Sequence, residues 1–330
     1  MDIVHSFKKF LKSRSMTLIY VTVTVILFFY FMNNSYLSKN NLMGMMSSIS
    51  FTGIMAIGVS FLLMGGEINL ASGAQGCFGA VIVAVIMLKG VPWPLALLFG
   101  LLFGVVAGLI NSFFVNKLGF VSFISTLGMS FIYNGLAVFF AGNNNVPIAN
   151  QFFWQIGSYL VFGVIPMPFI IMVFFMLVYS FVLNKTSFGR SILMCGGNSA
   201  AARLAGISPK KVVTILYINS GIFAVLSGSV LAARMHNASP TALGSSTLDA
   251  ITASVLGGVS FGGGGGSMSG LFIGVILLTA FNNGLVAVDL YSYWRLVIQG
   301  ALLIVALIFD FLSIQARAAS MKKANMQNAA

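Results

Sequence analysis

Few side chains in this sequence could carry out acid–base, nucleophilic or metal chemistry. The 330 residues include only five Asp and Glu together and two histidines, which are far apart. No nucleophile stands beside a base at a familiar spacing, and the two cysteines lie in or beside different apolar stretches, which favours buried free thiols. We therefore predict no catalytic residue, no metal ligand and no cofactor bound directly by the chain.

One cluster of polar residues in an apolar setting is M-G-G-E-I-N-L-A-S-G-A-Q, from Met64 to Gln75. Glycines on both sides of the polar residues predict a helix that is interrupted close to the membrane. Glu67 and Asn69 are then candidates for lining a solute path. The alternative is an interfacial turn that leaves Glu67 in water.

A second group of polar side chains lies within the apolar stretch Phe123–Leu136. Ser125, Thr126 and Asn134 supply hydroxyl and amide groups without charge. Such groups suit a neutral, polyhydroxylated solute, but hydroxyls and amides also hold membrane helices together. Both uses remain open for these three residues.

Asp249 opens an apolar segment, where an unpaired carboxylate is costly. Its partner could be Arg234 or Arg295, and the other interpretations are a helix-terminal charge and a contact with solute. The glycine run that follows, at residues 256–270, is not a phosphate loop because no lysine follows the glycines. We expect this run to permit tight turns and close backbone approach between helices.

The elements that must position these residues are membrane helices. Hydrophobic residues make up 58% of the chain and charged residues 7%, whereas a soluble domain carries roughly a quarter charged residues. We predict an all-α polytopic membrane protein with about ten spans. The predicted spans cover residues 17–32, 43–64, 70–88, 94–115, 121–141, 160–183, 212–234, 247–260, 267–288 and 293–312. The stretches 121–141 and 247–260 are polar or short, and are candidates for broken or re-entrant helices.

Ten spans place both termini on one side of the membrane, together with the stretch 184–211. That side then holds 13 of the 17 Lys and Arg residues, the exceptions being Lys39, Lys89, Arg234 and Arg295. The positive-inside rule makes this side cytoplasmic in a bacterial plasma (inner) membrane. The net charge of +12 reflects this topology and not nucleic-acid binding, since no folded basic domain remains. The predicted organisation is a basic cytoplasmic N-terminus (1–15), a transmembrane domain (16–314) and a cytoplasmic tail (315–330).

The stretch 184–211, called the insert below, is polar and basic and contains a short helix with clear ends. Asn198 predicts an N-cap, Gly206 a left-handed C-terminal residue, and Ser208 with Pro209 the start of another helix. A helix of two turns is marginal in water and needs a surface to dock on. The insert is therefore either a solvated connector or a docking element that binds another subunit.

Taken together, these motifs resemble the permease family that imports ribose, other monosaccharides and autoinducer-2 in bacterial ATP-binding-cassette (ABC) systems. The resemblance covers about residues 45–312. Its strongest part is a series of motifs in order, A-R-M-H-N-A-S-P-T, L-D-A-I, L-G-G and N-N-G-L. The resemblance implies an all-helical permease that forms a dimeric pore, as a homodimer or heterodimer, and carries no ATPase of its own.

The resemblance also implies that the insert holds the cytoplasmic coupling helix, which seats in an ABC ATP-binding subunit that uses ATP and Mg. By match, the coupling residues are Gly197, Asn198, Ala201, Ala202, Arg203, Leu204, Gly206 and Ile207. The other implied partners are an extracytoplasmic solute-binding protein, a second permease and the lipid bilayer. The chain departs from the family pattern at Ser199 or Ala200, where a glutamate is usual, at Asn69, where the family has aspartate, and at Gly265, which is often arginine.

We predict the membrane permease subunit of an ATP-driven importer for a small neutral hydrophilic solute, with a monosaccharide such as ribose as the leading candidate. An ion-coupled secondary transporter is the alternative within transport, and an intramembrane enzyme or scaffold is the alternative outside it. Uptake driven by an ion gradient without any ATPase would favour the secondary transporter. Turnover by the isolated chain would favour the enzyme.

Overall fold

The computed structural model describes residues 14–328, so nearly all of the predicted basic N-terminus at 1–15 lies outside the described residues. The described chain is helical apart from its connections and four two-residue strands. The helices are α1 (Arg14–Met32), α2 (Lys39–Met64), α3 (Ser72–Leu88), α4 (Trp93–Ser112), α5 (Ser122–Ala141), α6 (Gln151–Ser158), α7 (Met167–Lys185), α8 (Ser187–Gly197), α9 (Ser199–Leu204), α10 (Pro209–Met235), α11 (Ser246–Leu256), α12 (Met268–Ala287) and α13 (Ser292–Asn328). A 3-10 turn covers Asn34–Leu37, and a π-helical turn, Phe113–Lys117, extends α4.

The short strands form two antiparallel pairs in the connections. Strand β1 (Val146–Pro147) pairs with β4 (Asn237–Ala238), and β2 (Leu160–Val161) pairs with β3 (Ile165–Pro166). The first pair ties the connection after α5 to the end of α10. Both pairs are local ladders between helices, and the architecture remains all-α.

Seven helices within residues 14–328 are long and apolar enough to cross a membrane. They are α2, α4 with its π-helical turn, α5, α7, α10, α12 and the Ser292–Leu312 part of α13. This confirms the predicted class, an all-α polytopic membrane protein. Three further apolar helices are shorter, and correspond to α1, α3 and α11. The 11 residues of α11 rise about 17 Å, well short of a hydrocarbon core of roughly 30 Å.

Three predicted segments differ from the structure. Residues 121–141 form the continuous helix α5 instead of a broken one, because hydroxyls such as that of Thr126 bond carbonyls of the same helix, here Ser122 at 2.7 Å. The segment predicted from residue 160 becomes helical only at Met167, because the β2–β3 hairpin precedes it. Helix α13 continues to Asn328, beyond the predicted boundary between span and tail.

Helix α10 lies at the centre of the bundle and packs on α2, α3 and α4. In its most apolar stretch of 18 residues, 72% of the residues are buried, compared with 12% for the corresponding stretch of α13, which lies at the periphery. Gly221 of α10 faces Gly104 of α4 so closely that a Cβ added at Gly104 would lie 2.7 Å from the Gly221 carbonyl oxygen. Small residues allow this approach. Because lipid tails are as apolar as the helix surfaces, van der Waals packing, and not the hydrophobic effect, stabilises the association of these helices.

The insert contains two helices, whereas its sequence predicted only one before α10. Helix α8 precedes the expected short helix α9 and buries Ile192 and Cys195. Apolar residues at Phe188, Ile192 and Cys195 recur at i, i+4 and i+7, which is the pattern of an amphipathic helix. The glycines of α8 have low helix propensity and obscured that pattern.

Candidate functional site

The chain between α2 and α3 is an interrupted helix inside the bundle, as its glycines predicted. Asn69 is 1% exposed. Its Nδ2 donates to Gln75 at 3.0 Å and to Ser220 at 3.1 Å. Its Oδ1 accepts from the Ala71 N–H at 3.0 Å and from Asn111 at 3.3 Å. The hydrogen-bonding groups of Asn69 are therefore occupied by contacts within the chain.

Backbone groups freed by the interruption also find side-chain partners on neighbouring helices. The Leu70 N–H donates to Thr126 Oγ1 of α5 at 3.0 Å, and the Gly73 N–H donates to Thr247 Oγ1 of α11 at 2.7 Å. Irregular backbone at membrane depth is tolerated only where such contacts or water satisfy it. Thr126 therefore supports the interruption, which is the helix-bonding use that the sequence analysis left open.

We expect Thr126→Val to destabilise the chain, because valine leaves the Leu70 N–H without its acceptor. A buried donor without a partner costs about 1–3 kcal/mol. Ser130→Ala is the matched control, since the Ser130 hydroxyl bonds only the Leu127 carbonyl of its own helix in the described chain. The midpoint of thermal unfolding of the purified chain should fall for Thr126→Val and stay constant for Ser130→Ala. Unchanged stability combined with slower uptake would instead assign Thr126 to solute contact.

Glu67, Ser125 and Asn134 lie partly buried beside or on α5. The Ser122 side chain hydrogen-bonds the Glu67 carboxyl group. Glu67 therefore lies beside the start of α5 and is only partly exposed to water. None of these residues lines the cavity that contains Asp249.

A polar cavity of about 320 Å³ lies between α2, α11, α12 and α13, and is called the Asp249 cavity below. Its polar lining residues are Ser48, Thr52, Ser245, Asp249, Thr279, Asn282, Asn283, Arg295 and Gln299. The volume falls at the lower end of the range for ligand sites, about 300–1,000 Å³. Ser48 is exposed, so the cavity reaches the outer surface of the chain. Hydroxyl, amide, carboxylate and guanidinium groups together supply both donors and acceptors for the hydroxyls of a neutral solute.

Asp249 lies in the first turn of α11, where the helix dipole favours a negative charge. Its carboxylate accepts hydrogen bonds from Gln299 and Asn282. The partners are two amides, and not Arg234 or Arg295, so the ion-pair interpretation is wrong, whereas the helix-terminal position agrees with the other interpretation. The tertiary fold decides this, because α12 and α13 each bring an amide to the first turn of α11.

The two arginines occupy different places. Arg295 lines the Asp249 cavity and donates to Ser292 at 2.7 Å, while its Nε is buried with no hydrogen-bond partner among the described residues. Arg234 lies over the Phe51 ring at 5.8 Å from the centroid. Arg295 therefore places a guanidinium in the wall of the Asp249 cavity, whereas Arg234 packs elsewhere.

Several cavity residues were missed by the sequence analysis. Ser48, Thr52 and Gln299 are isolated polar residues in apolar helices, and nothing in their local pattern separates them from helix-bonding residues. Asn282 and Asn283 had a signal, since they open the N-N-G-L motif. Tertiary packing alone brings these residues to Asp249.

The short helix α9 has the caps that the sequence predicted. Asn198 Oδ1 accepts from the N–H groups of Ala200 and Ala201, each at 3.0 Å, and Gly206 has a φ of +80°. Pro209 occupies the first turn of α10, although the Ser208 side chain makes no capping bond in the described chain. Local hydrogen bonding and backbone preference therefore define both ends of α9.

One side of α9 is anchored and the other is free. Ala202 is fully buried and Ile207 is half-buried, so they hold the helix to the rest of the chain. Leu204 is 92% exposed, and Arg203 and Ala201 are also exposed. A second subunit could therefore reach an apolar side chain, a guanidinium and a small residue on one short helix.

Five glycines join the insert to two other parts of the bundle. This glycine junction consists of Gly66 after α2, Gly196 and Gly197 at the end of α8, and Gly263 and Gly264 between α11 and α12.

Backbone contacts in the glycine junction are very close. The Gly264 N–H donates to the Met64 carbonyl at 2.9 Å. A Cβ added at Gly264 would lie 2.7 Å from the Gly197 Cα, and one at Gly263 would lie 2.8 Å from the Gly66 Cα. This confirms the close backbone approach expected from the glycine run. The end of α8 therefore touches, through backbone atoms, the loop that follows α11, the helix that carries Asp249.

The comparisons with known proteins agree with this architecture. Residues 41–307 match the family model described as "Branched-chain amino acid transport system / permease component". The ribose import permease protein RbsC of Bacillus subtilis is 33% identical over 280 residues, which cover 84% of this chain and 87% of that protein. No solved structure matches the chain significantly.

Two further relatives are sugar permeases of Escherichia coli. The L-arabinose transport system permease protein AraH is 32% identical over 279 residues, covering 82% of each chain. The xylose transport system permease protein XylH is 27% identical over 364 residues, covering 92% of this chain and 93% of that protein. The family match spans most of the chain and includes the Asp249 cavity, the glycine junction and α9. This chain therefore belongs to the ABC transporter permease family of that model, and is a multi-pass permease subunit of the inner membrane, not itself an enzyme.

Proposed function

We propose that this permease translocates a neutral monosaccharide, such as ribose, along a path to which the Asp249 cavity contributes. The observation that carries the proposal is a polar cavity that reaches the outer surface of a bundle built from membrane-spanning helices. Polar and ionisable groups rarely face lipid, because their desolvation is costly. A second permease, as homodimer or heterodimer, therefore covers the open side and encloses the cavity in a shared pore.

The lining and the relatives both support a neutral polyhydroxylated solute. The Asp249 carboxylate accepts hydrogen bonds from amides. The other polar side chains that line the cavity can donate hydrogen bonds to sugar hydroxyls and accept hydrogen bonds from them. The relatives are named for ribose, L-arabinose and xylose. Among the predicted solute-path residues, we assign direct contact to Asp249. Asn69 and Thr126 stabilise the interruption, which also bonds α11 through the Gly73 N–H, and Glu67, Ser125 and Asn134 lie on or beside α5.

We further propose that the driving force comes from partners. An ABC ATP-binding subunit uses ATP and Mg and contacts the coupling residues of α9, while a solute-binding protein delivers the solute to the opposite face. Ten spans with both termini cytoplasmic require that α1 and α3 cross the membrane and that α11, together with the loop that follows it, makes the remaining crossing. ATP-driven movement of α9 then reaches α11 through the glycine junction and biases the pore between two states.

We expect Asp249→Asn to slow uptake at low solute concentration by about 10- to 100-fold, because a charge-assisted hydrogen bond to a solute hydroxyl is lost. Asp289→Asn is the matched control. Asp289 is exposed, lies outside the cavity, and has a φ of +53°, which asparagine also tolerates.

The measurement is ATP-driven uptake of labelled ribose, L-arabinose, xylose and leucine by the complete transporter in proteoliposomes. Sugar uptake that falls for Asp249→Asn and persists for Asp289→Asn supports the proposal. Uptake of leucine in place of sugars would contradict the proposed solute class. Parental sugar uptake by Asp249→Asn would contradict the role of the cavity.

A further inference from the structure

An apolar groove with two lysines at one end lies on the outside of the bundle, away from the Asp249 cavity. It has a volume of about 670 Å³ and runs along α4, its π-helical turn and the start of α10; we call it the lysine groove. Its apolar wall consists of Val106, Leu109, Ile110, Phe113 and Phe114. Its polar end consists of Ser112, Asn116, Lys117, Lys210 and Thr214.

The depth of the groove corresponds to one leaflet of a bilayer. Lys117 is the last residue of one membrane-spanning stretch and Lys210 is the second residue of another, so both lie at the membrane surface on the face that carries the insert. From Val106 to Lys117 the helix rises about 16 Å, compared with half of a hydrocarbon core of roughly 30 Å. The groove therefore extends from the headgroup level to about the middle of the membrane.

The polar end of the groove is a built structure. Asn116 Nδ2 donates to the Lys210 carbonyl at 3.1 Å and to Thr214 Oγ1 at 3.1 Å, which ties the end of α4 to the start of α10. The Lys117 Nζ lies 5.5 Å from the centroid of the Phe113 ring. Both lysine side chains are exposed. Two exposed lysines thus line the same end of the groove, next to an apolar wall.

We propose that the lysine groove binds an anionic phospholipid, with its phosphate at Lys117 and Lys210 and an acyl chain along the wall of α4. Charge complementarity favours a lipid over a second copy of this chain. The described acids nearest the insert face are Glu67, held by Ser122, and Asp310, which is 4% exposed and accepts from the Phe261 N–H. A lipid phosphate supplies the negative charge that the described part of a second copy does not offer there.

A bound lipid would act close to α9. Lys210 follows Gly206, the residue that ends α9, by four positions, so the headgroup would contact the helix that the insert leads into. Each lysine near an anionic surface strengthens association roughly 5-fold, so removal of both should weaken it about 30-fold.

The test is native mass spectrometry of the full chain titrated with phosphatidylglycerol or phosphatidylcholine in detergent. The variant is Lys117→Gln with Lys210→Gln. The control, Lys89→Gln with Lys185→Gln, removes the same charge from exposed lysines outside the groove. We expect the parent and the control to bind phosphatidylglycerol in preference to phosphatidylcholine, and the groove variant to lose about 30-fold in affinity.

Three results would overturn the proposal. One is unchanged phosphatidylglycerol binding by the groove variant, and another is an equal loss in the control, which would indicate diffuse attraction. The third is a loss of protein dimer relative to monomer in the groove variant without a change in lipid binding, which would make the groove a protein interface. Soluble glycerol phosphate should not compete, because it lacks an acyl chain; full competition would show an anion site that needs no lipid.

Discussion

We expect Arg203→Glu and Gly206→Val each to reduce ATP-driven uptake to less than about a tenth of the parental rate. The Arg203 side chain is exposed on α9, so its reversal changes the charge presented to the ATPase subunit without disturbing a core contact. Gly206 has a φ of +80°, and a β-branched residue there costs about 1–2 kcal/mol. A six-residue helix is marginal, so this strain is enough to unwind its end.

Conservative substitutions at the same positions are the controls. Gly206→Asn should retain uptake, since asparagine adopts the left-handed conformation more readily and an added Cβ meets no described atom within 4 Å. Arg203→Lys keeps the charge and should retain more uptake than Arg203→Glu. Copurification of the ATPase subunit and uptake in proteoliposomes are the measurements. Parental behaviour of both Arg203→Glu and Gly206→Val would show that the insert is only a connector.

We expect Gly196→Ala, which adds a single methyl group in the insert, to reduce transport strongly. The new Cβ would overlap the Met64 carbonyl oxygen and lie 2.6 Å from the Gly264 N, so the glycine junction would have to separate. Overpacking of this kind costs about 1–3 kcal/mol. Because the Gly264 N–H also donates to the Met64 carbonyl, we expect this bond to break and uptake to fall at least tenfold.

Gly265→Ala is the matched control, since a Cβ there would lie 3.9 Å from the Ser260 Cβ and no closer to any other described atom. It should transport at the parental rate. The measurements are the amount of chain in the membrane, the unfolding temperature, and uptake per folded chain together with ATP hydrolysis. Hydrolysis that continues without uptake would identify the junction as the coupling path. Parental uptake by Gly196→Ala would contradict the close packing.

The local signals in the sequence predicted the elements well. Apolar stretches of about 20 residues located the long helices, because the membrane imposes that length on any helix that spans it. Asn198, Gly206 and Pro209 predicted the ends of α9 and the start of α10, because capping depends on the residue itself and its nearest neighbours. The glycines after Met64 predicted the interruption for the same reason.

Local signals failed where a residue's role depends on distant partners. The hairpin before Met167 and helix α8 have weak sequence patterns, and their structure depends on contacts with the surrounding bundle. Asp249, for which an ion pair was one interpretation, bonds amides from α12 and α13 instead, and these are remote from it in sequence. Hydroxyls and amides look alike in an apolar sequence whether they join helices or face a solute.

The sequence by itself therefore determined the class of this protein, most of its helices and the ends of α9, since composition and capping are properties of short stretches of chain. The tertiary structure alone decided that Asn69 and Thr126 secure an interrupted helix, that Asp249 shares a cavity with Gln299, and that the insert touches the loop after α11. The physical reason is that hydrogen-bond satisfaction and backbone approach are set by helices packed across the bundle, whose partners lie tens to hundreds of residues apart.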